Sequence, residues 1–182
     1  MTERNGGLDM APGAGGIYLA EAQASPMYDY AWKIERECLG AAVRFVRGNK
    51  MRSVDSLFDE ISAALQFPHY FGENWPAFAE CLADLSWINS ERYILIMMRA
   101  GEILADEPSD MGAFCRSLKL AMKEHADQFS RLHPGDSKTE AFQIILHCFP
   151  GKVDCIGALQ TNLGVPVSKV KLQNLQDLAA RS

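Results

Sequence analysis

The chain has 182 residues, 48% hydrophobic and 23% charged, with a formal net charge of −5. That is ordinary globular composition, enough for one domain with a real core and terminal extensions. No apolar run approaches the ~18 residues of a membrane helix, the N-terminus lacks a basic start followed by an apolar stretch, and the acidic balance disfavours direct binding of nucleic acid, which calls for a basic stripe.

Residues 1–16 are Gly-rich and expected to be mobile. Gly16–Ala22 alternates and predicts a short strand, and Met27–Leu39 a helix with Tyr30, Ile34 and Cys38 four apart. Ala41–Val46 is apolar and β-branched, a buried strand closed by the turn Arg47-Gly48-Asn49-Lys50. Ser53 is placed to cap the next helix, whose apolar face is Leu57, Ile61, Ala64 and Leu65. Phe67-Pro68 ends it, because the residue before proline is pushed out of helical geometry.

Asn74 is the expected cap of the following helix, with Pro76 in a first turn where its missing N–H costs little. Phe78, Cys81, Leu82 and Leu85 share one face by helical spacing and should point to the core. Tyr93–Met98 is nearly all apolar, the pattern of a strand covered on both faces. One helical turn is expected over Gly101–Leu104, then the longest helix, Met111–Leu132, with Phe114, Leu118, Ala121, Met122 and Phe129 inward. A polar loop, His133–Lys138, leads to a third central strand, Ala141–Phe149; Val165–Val170 and Leu172–Ala180 read as a tail strand and a tail helix. Strands separated by helices imply a parallel sheet covered by helices.

The five cysteines (Cys38, Cys81, Cys115, Cys148, Cys155) form no CxxC pair and read as free thiols of a reducing cytoplasm. Charge is unevenly distributed. Between Pro68 and Asp110 stand eight acids (Glu73, Glu80, Asp84, Glu91, Glu102, Asp106, Glu107, Asp110) against Arg92 and Arg99 only, while the remainder holds 15 acids and 16 bases. A segment so charged favours a basic partner, although a solvated acidic surface has the same composition.

Within that segment Pro68, Tyr70, Gly72-Glu73-Asn74, Ala77, Cys81 and Leu82 form a compact motif, continued by Asp84-Leu85-Ser86-Trp87. The motif resembles the core of the barstar-like ribonuclease inhibitors, and the resemblance runs from about Ala41 to Phe149. It implies an α/β fold with a small parallel three-stranded sheet covered by helices. The corresponding organisation is an N-terminal extension (1–40), a barstar-like domain (41–149) and a C-terminal extension (150–182). In that family the loop and helix bearing the motif plug the active site of a small basic ribonuclease, and acidic side chains replace the RNA phosphate.

By position, Tyr70, Gly72 and Asn74 match contact-region residues, and Glu80 takes the place of the central acid. On this reading Glu80 and Asp84 meet cationic groups, Glu73 widens the negative field, and Tyr70 and Trp87 pack at the rim. Gly72 is expected in a backbone conformation other residues avoid. Two departures stand out: Pro76 where barstar carries an aspartate, and Ala79 where it carries a tryptophan. With a negative charge and a large aromatic anchor lost, the target need not be barstar's own, and the partner the resemblance implies is a small basic ribonuclease or toxin nuclease domain. The same fold used as a non-inhibitory interaction module, with its partner set by the extensions, is the alternative.

Catalysis finds little support. His69, His125, His133 and His147 have no partners at hydrolase or metal spacing, and HxxxH, CxxC and GxGxxG are missing. His147 and Cys148 are adjacent on a strand, so they point to opposite faces and form no simple dyad. No cofactor or metal is expected.

Overall fold

The computed structural model describes residues 16–37, 41–134, 141–164 and 167–170. The expected mobile start and the tail helix over Leu172–Ala180 lie outside them, as do Cys38 and most of the 133–138 loop.

Among the described residues five strands, β1 (Ile17–Glu21), β2 (Ala41–Arg47), β3 (Arg92–Met98), β4 (Phe142–Cys148) and β5 (Ser168–Val170), form one sheet in the order β2-β3-β4-β1-β5. All pairings are parallel. The expected three-stranded sheet is therefore corrected: β1 pairs with β4 from Ile17↔Ile144 to Glu21↔Cys148, and the three-residue β5 lines its far side. The reason is physical. β4 is buried on both faces and along its length, so it needs a neighbour on each edge, and β1 satisfies the backbone groups that β3 leaves free.

Helices α2 (Val54–Leu65), α3 (Trp75–Asp84), α4 (Met111–Leu132) and α5 (Gly157–Leu163) cover one face, and α1 (Ala24–Glu37) covers the other. Right-handed crossovers require this division. The chain moves from β2 through β3 to β4 in one direction and from β1 to β2 in the reverse direction, so α1 must cross on the opposite side. The larger core joins Ile17, Leu19, Leu95, Met97, Ile144 and Leu146 to Leu57, Ile61, Phe78, Leu82, Phe114 and Leu118. The smaller one joins Tyr18, Ala20, Val43, Ile94, Ile96 and Ile145 to Met27, Tyr30 and Ala31 of α1.

Helix boundaries follow local chemistry. Ser53 and Ser56 exchange side-chain and backbone hydrogen bonds in a capping box that opens α2. The start of α1 precedes the expected Met27 and takes in Pro26, which a first turn tolerates because its N–H would be unpartnered there. α4 runs over the expected residues, and the turn expected at Gly101–Leu104 is a 3-10 turn at Ala100–Glu102.

His147 and Cys148 do face opposite sides of the sheet, and both are buried. The His147 Nδ1 accepts from the Arg99 amide at 3.2 Å, and its Nε2 donates to the Ala22 carbonyl at 3.0 Å. Both ring nitrogens are thus committed in the neutral form, and burial lowers the pKa. Burial also raises the Cys115 and Cys148 thiols to about 11, so neither is a ready nucleophile. Among the described residues no helix is long and apolar enough to cross a membrane, and no group of acidic, His and Cys side chains is arranged to hold a metal.

Candidate interaction surface

The turn between α2 and α3 sorts its aromatic residues by direction. Phe67, Phe71 and Trp75 fall four apart and turn inward, packing half-buried against the core. Phe71 meets Phe58 edge-on at 5.7 Å and Phe67 at 5.1 Å; Trp75 meets Phe58 at 5.0 Å and Phe78 at 5.7 Å. Edge-to-face contacts of this kind fix ring orientation as well as burying area. Tyr70 is left outside at 68% exposure. A large, rigid ring with one polar tip, exposed next to the inward-packed aromatic residues and in ring contact with His69 at 5.8 Å, is suited to anchoring a partner.

Behind Tyr70, Asn74 starts α3. Its Oδ1 accepts from the Ala77 amide at 3.0 Å, and its Nδ2 donates to the Gly72 carbonyl at 2.9 Å. The expectation of an unusual backbone at Gly72 is corrected: the left-handed residue is Glu73, with φ 47°, and Gly72 is not among the positive-φ glycines. What glycine provides at 72 is room. A Cβ there would stand 3.0 Å from the Asn74 amide nitrogen and crowd the cap.

Helix α3 buries Phe78, Cys81 and Leu82 and turns Pro76, Glu80 and Asp84 to solvent, with Ala79 and Ala83 half-buried between them. Glu80 and Asp84, four apart on a helix, are neighbours, roughly 6 Å apart along its axis.

The eight acids of the 68–110 segment divide into two groups. Five are bonded within the fold. Glu91 meets His133 at 2.9 Å, Glu102 pairs with Arg99, and Asp106 forms a two-pronged bond with Arg52. Glu107 accepts from the Val54 amide at the start of α2, and Asp110 accepts from the Trp75 indole at 3.0 Å. The Arg52 contact holds the Asp106 carboxyl below the usual range. The remaining three, Glu73, Glu80 and Asp84, are exposed and have no ion-pair partner among the described residues. Their negative field is therefore not cancelled locally.

Trp87 sits half-buried. Its indole N–H donates to the Leu65 carbonyl at 2.8 Å and its ring lies edge-on to Phe67 at 5.9 Å, so it closes the core beneath the turn while keeping an accessible edge. Glu124 on α4 is half-buried and close enough to His125 to act on it electrostatically. Sequence reasoning gave Trp75 no role. Its spacing of three from Phe78 and seven from Leu82 was the available signal, since those positions share one face of a helix.

A family model described as Barstar (barnase inhibitor) matches residues 41–146, which include the whole of this turn and α3. Among solved structures, the chain is similar to the Aeropyrum pernix ORC2 protein (ADP form) at 9% identity and a TM-score of 0.47, covering 92% of this chain. The chain spans about half of that structure, 46% of its length. No curated protein matches.

Proposed function

The chain belongs to the family of barstar, the barnase inhibitor, and from that premise we propose that it inhibits a basic ribonuclease or toxin nuclease domain as its cytoplasmic immunity partner. The observation that carries this reading is the division of the acids. Five are committed to the fold, and the three with no ion-pair partner among the described residues lie on the motif's turn and α3, in the same segment as the exposed Tyr70. In the proposed complex α3 lies across the active site of the nuclease. Glu80 and Asp84 occupy the place of RNA phosphate oxygens against Arg, Lys or His, and charge-assisted hydrogen bonds there are about twice as strong as neutral ones. Tyr70 and Trp87 pack at the rim. Ala79, Ala83 and Pro76 leave a shallow surface, so the nuclease supplies the bulk that barstar supplies with its own tryptophan. No cofactor or metal takes part.

Glu80→Arg tests the reading. The side chain is exposed and has no ion-pair partner among the described residues, so the fold should survive within about 0.5 kcal/mol, while inhibition should vanish. The assay uses the small basic protein recovered near one-to-one in a low-salt pulldown, tested for RNA cleavage with each form of the chain. Inhibition by Glu80→Arg equal to that of the natural sequence would sink the proposal.

One observation favours a second reading. Trp32 and Tyr28 are 67% and 48% exposed on α1, outside the family-matched segment. If the protein is instead a non-inhibitory interaction module, Trp32→Ala should abolish partner capture and Glu80→Arg should leave it intact.

A further inference from the structure

α3 has only ten residues, and an isolated helix of that length is marginal in water. Its position must therefore come from tertiary contacts, and the structure provides a polar one at each end, both from the α4 side. At the N-terminal end, the indole N–H of Trp75, the first residue of α3, donates to Asp110 Oδ1 at 3.0 Å. Asp110 directly precedes α4, where the helix dipole favours a carboxylate. Ser109 Oγ bonds the other oxygen at 3.3 Å.

At the C-terminal end, the Leu82 carbonyl is among the last four of the helix, which lack an intrahelical partner. The buried His125 of α4 supplies one, with Nε2 at 2.9 Å. The ring of His125 is stacked on Phe142 at 5.2 Å and lies 4.8 Å from Tyr93. Neither Trp75 nor His125 belongs to the exposed face that carries Glu80 and Asp84.

We infer that Trp75–Asp110 and His125–Leu82 form a two-ended clamp by which α4 positions the acidic helix, so that the interaction face is held in place before any partner arrives. The inference rests on the inhibitory reading for the use of that face, but not for the existence of the clamp. A face held in advance loses less conformational freedom on binding. Trp75, Asp110 and His125 are positioning residues here, acting through α3.

The test is amide hydrogen exchange on the full chain without a partner. Trp75→Phe keeps a packed ring and removes the donor; Asp110→Ala removes the acceptor; His125→Phe keeps a stacked ring and removes the bond to Leu82. Each should speed exchange of the α3 amides roughly tenfold, the scale of one hydrogen bond with a charged or buried group, while β3 and β4 keep their protection. Asp110→Asn retains an acceptor oxygen and should stay within about twofold of the natural chain. Glu80→Arg should leave α3 protection unchanged whether or not it inhibits, which separates failure of the clamp from failure of the inhibitor reading. Unchanged α3 exchange in Trp75→Phe and His125→Phe, or an equal rise across the whole sheet, overturns the clamp.

Discussion

Asn74 uses both ends of its amide within its own turn. The oxygen caps α3 through the Ala77 amide and the nitrogen ties back to the Gly72 carbonyl. Asn74→Ala removes both bonds, and about 1–2 kcal/mol of stability should be lost, read as a shift in the urea midpoint. Asn74→Asp keeps the cap and loses only the bond to Gly72, so it should fall between the two. The arrangement also explains why the residue before the cap, and not Gly72, takes the left-handed conformation. The chain must reverse between the inward Phe71 and the outward face of α3, and the reversal falls on Glu73. Local motif chemistry of this kind reads well from sequence, since cap, proline and glycine act on backbone groups a few residues away. The residue-level error at Gly72 arose because glycine serves either left-handed backbone or close approach, and the motif does not distinguish them.

At the scale of elements, the contrast is between acids that build and acids that are left over. Glu107 holds the start of α2, Asp110 holds Trp75, and Glu102 and Asp106 hold Arg99 and Arg52. α3 contributes two carboxylates and no cation to oppose them. An unopposed field of this kind acts at a distance, so its effect belongs to association more than to folding. On the inhibitory reading, Glu80→Gln with Asp84→Asn should slow association with the proposed nuclease partner several-fold or more, within the roughly 10–10³-fold range of steering. The same pair should flatten the dependence of that rate on ionic strength, measured by stopped-flow at two salt concentrations. Glu102→Gln serves as the contrast. It weakens contacts to Arg52 and Arg99 within the fold; surface pairs of this type are worth up to about 1 kcal/mol, and the salt slope of association should change less than in the pair on α3.

For the whole molecule, two buried histidines tie stability to pH. His125 and His147 lie on opposite faces of the sheet, each bonded to a backbone carbonyl, and desolvation lowers the pKa of both. The charges facing His125 are Asp84 from α3 and Glu124 from α4, and they oppose the shift without reversing it. A base with a depressed folded pKa binds fewer protons in the folded state. Its contribution is therefore complete above the unfolded value of about 6.5 and is lost as pH falls through the folded value. The urea midpoint should be higher at pH 7.5 than at pH 5, and His125→Phe should make that acid loss shallower. A second whole-molecule prediction concerns β1, whose Ile17, Tyr18, Leu19 and Ala20 are all buried between β4 and β5. A chain cut to 41–149 would expose the β4 edge and both sheet faces beside it, and it should lose cooperative unfolding in a thermal melt.

Sequence by itself determined what is local or periodic: the capped starts of α2 and α3, the span of α4, the doubly buried character of β3, and the family motif with its acids. These follow from backbone chemistry within a turn and from repeats of two and 3.6 residues, which need no knowledge of distant neighbours. Tertiary structure alone decided which strands share the sheet, because β1 finds β4 across more than a hundred residues and no local pattern encodes that register. It also decided which of eight similar acids are free. Each carboxylate carries the same charge in the sequence; only the folded chain brings Arg52, Arg99, His133, the Trp75 indole and the Val54 amide to five of them and leaves Glu73, Glu80 and Asp84 facing solvent.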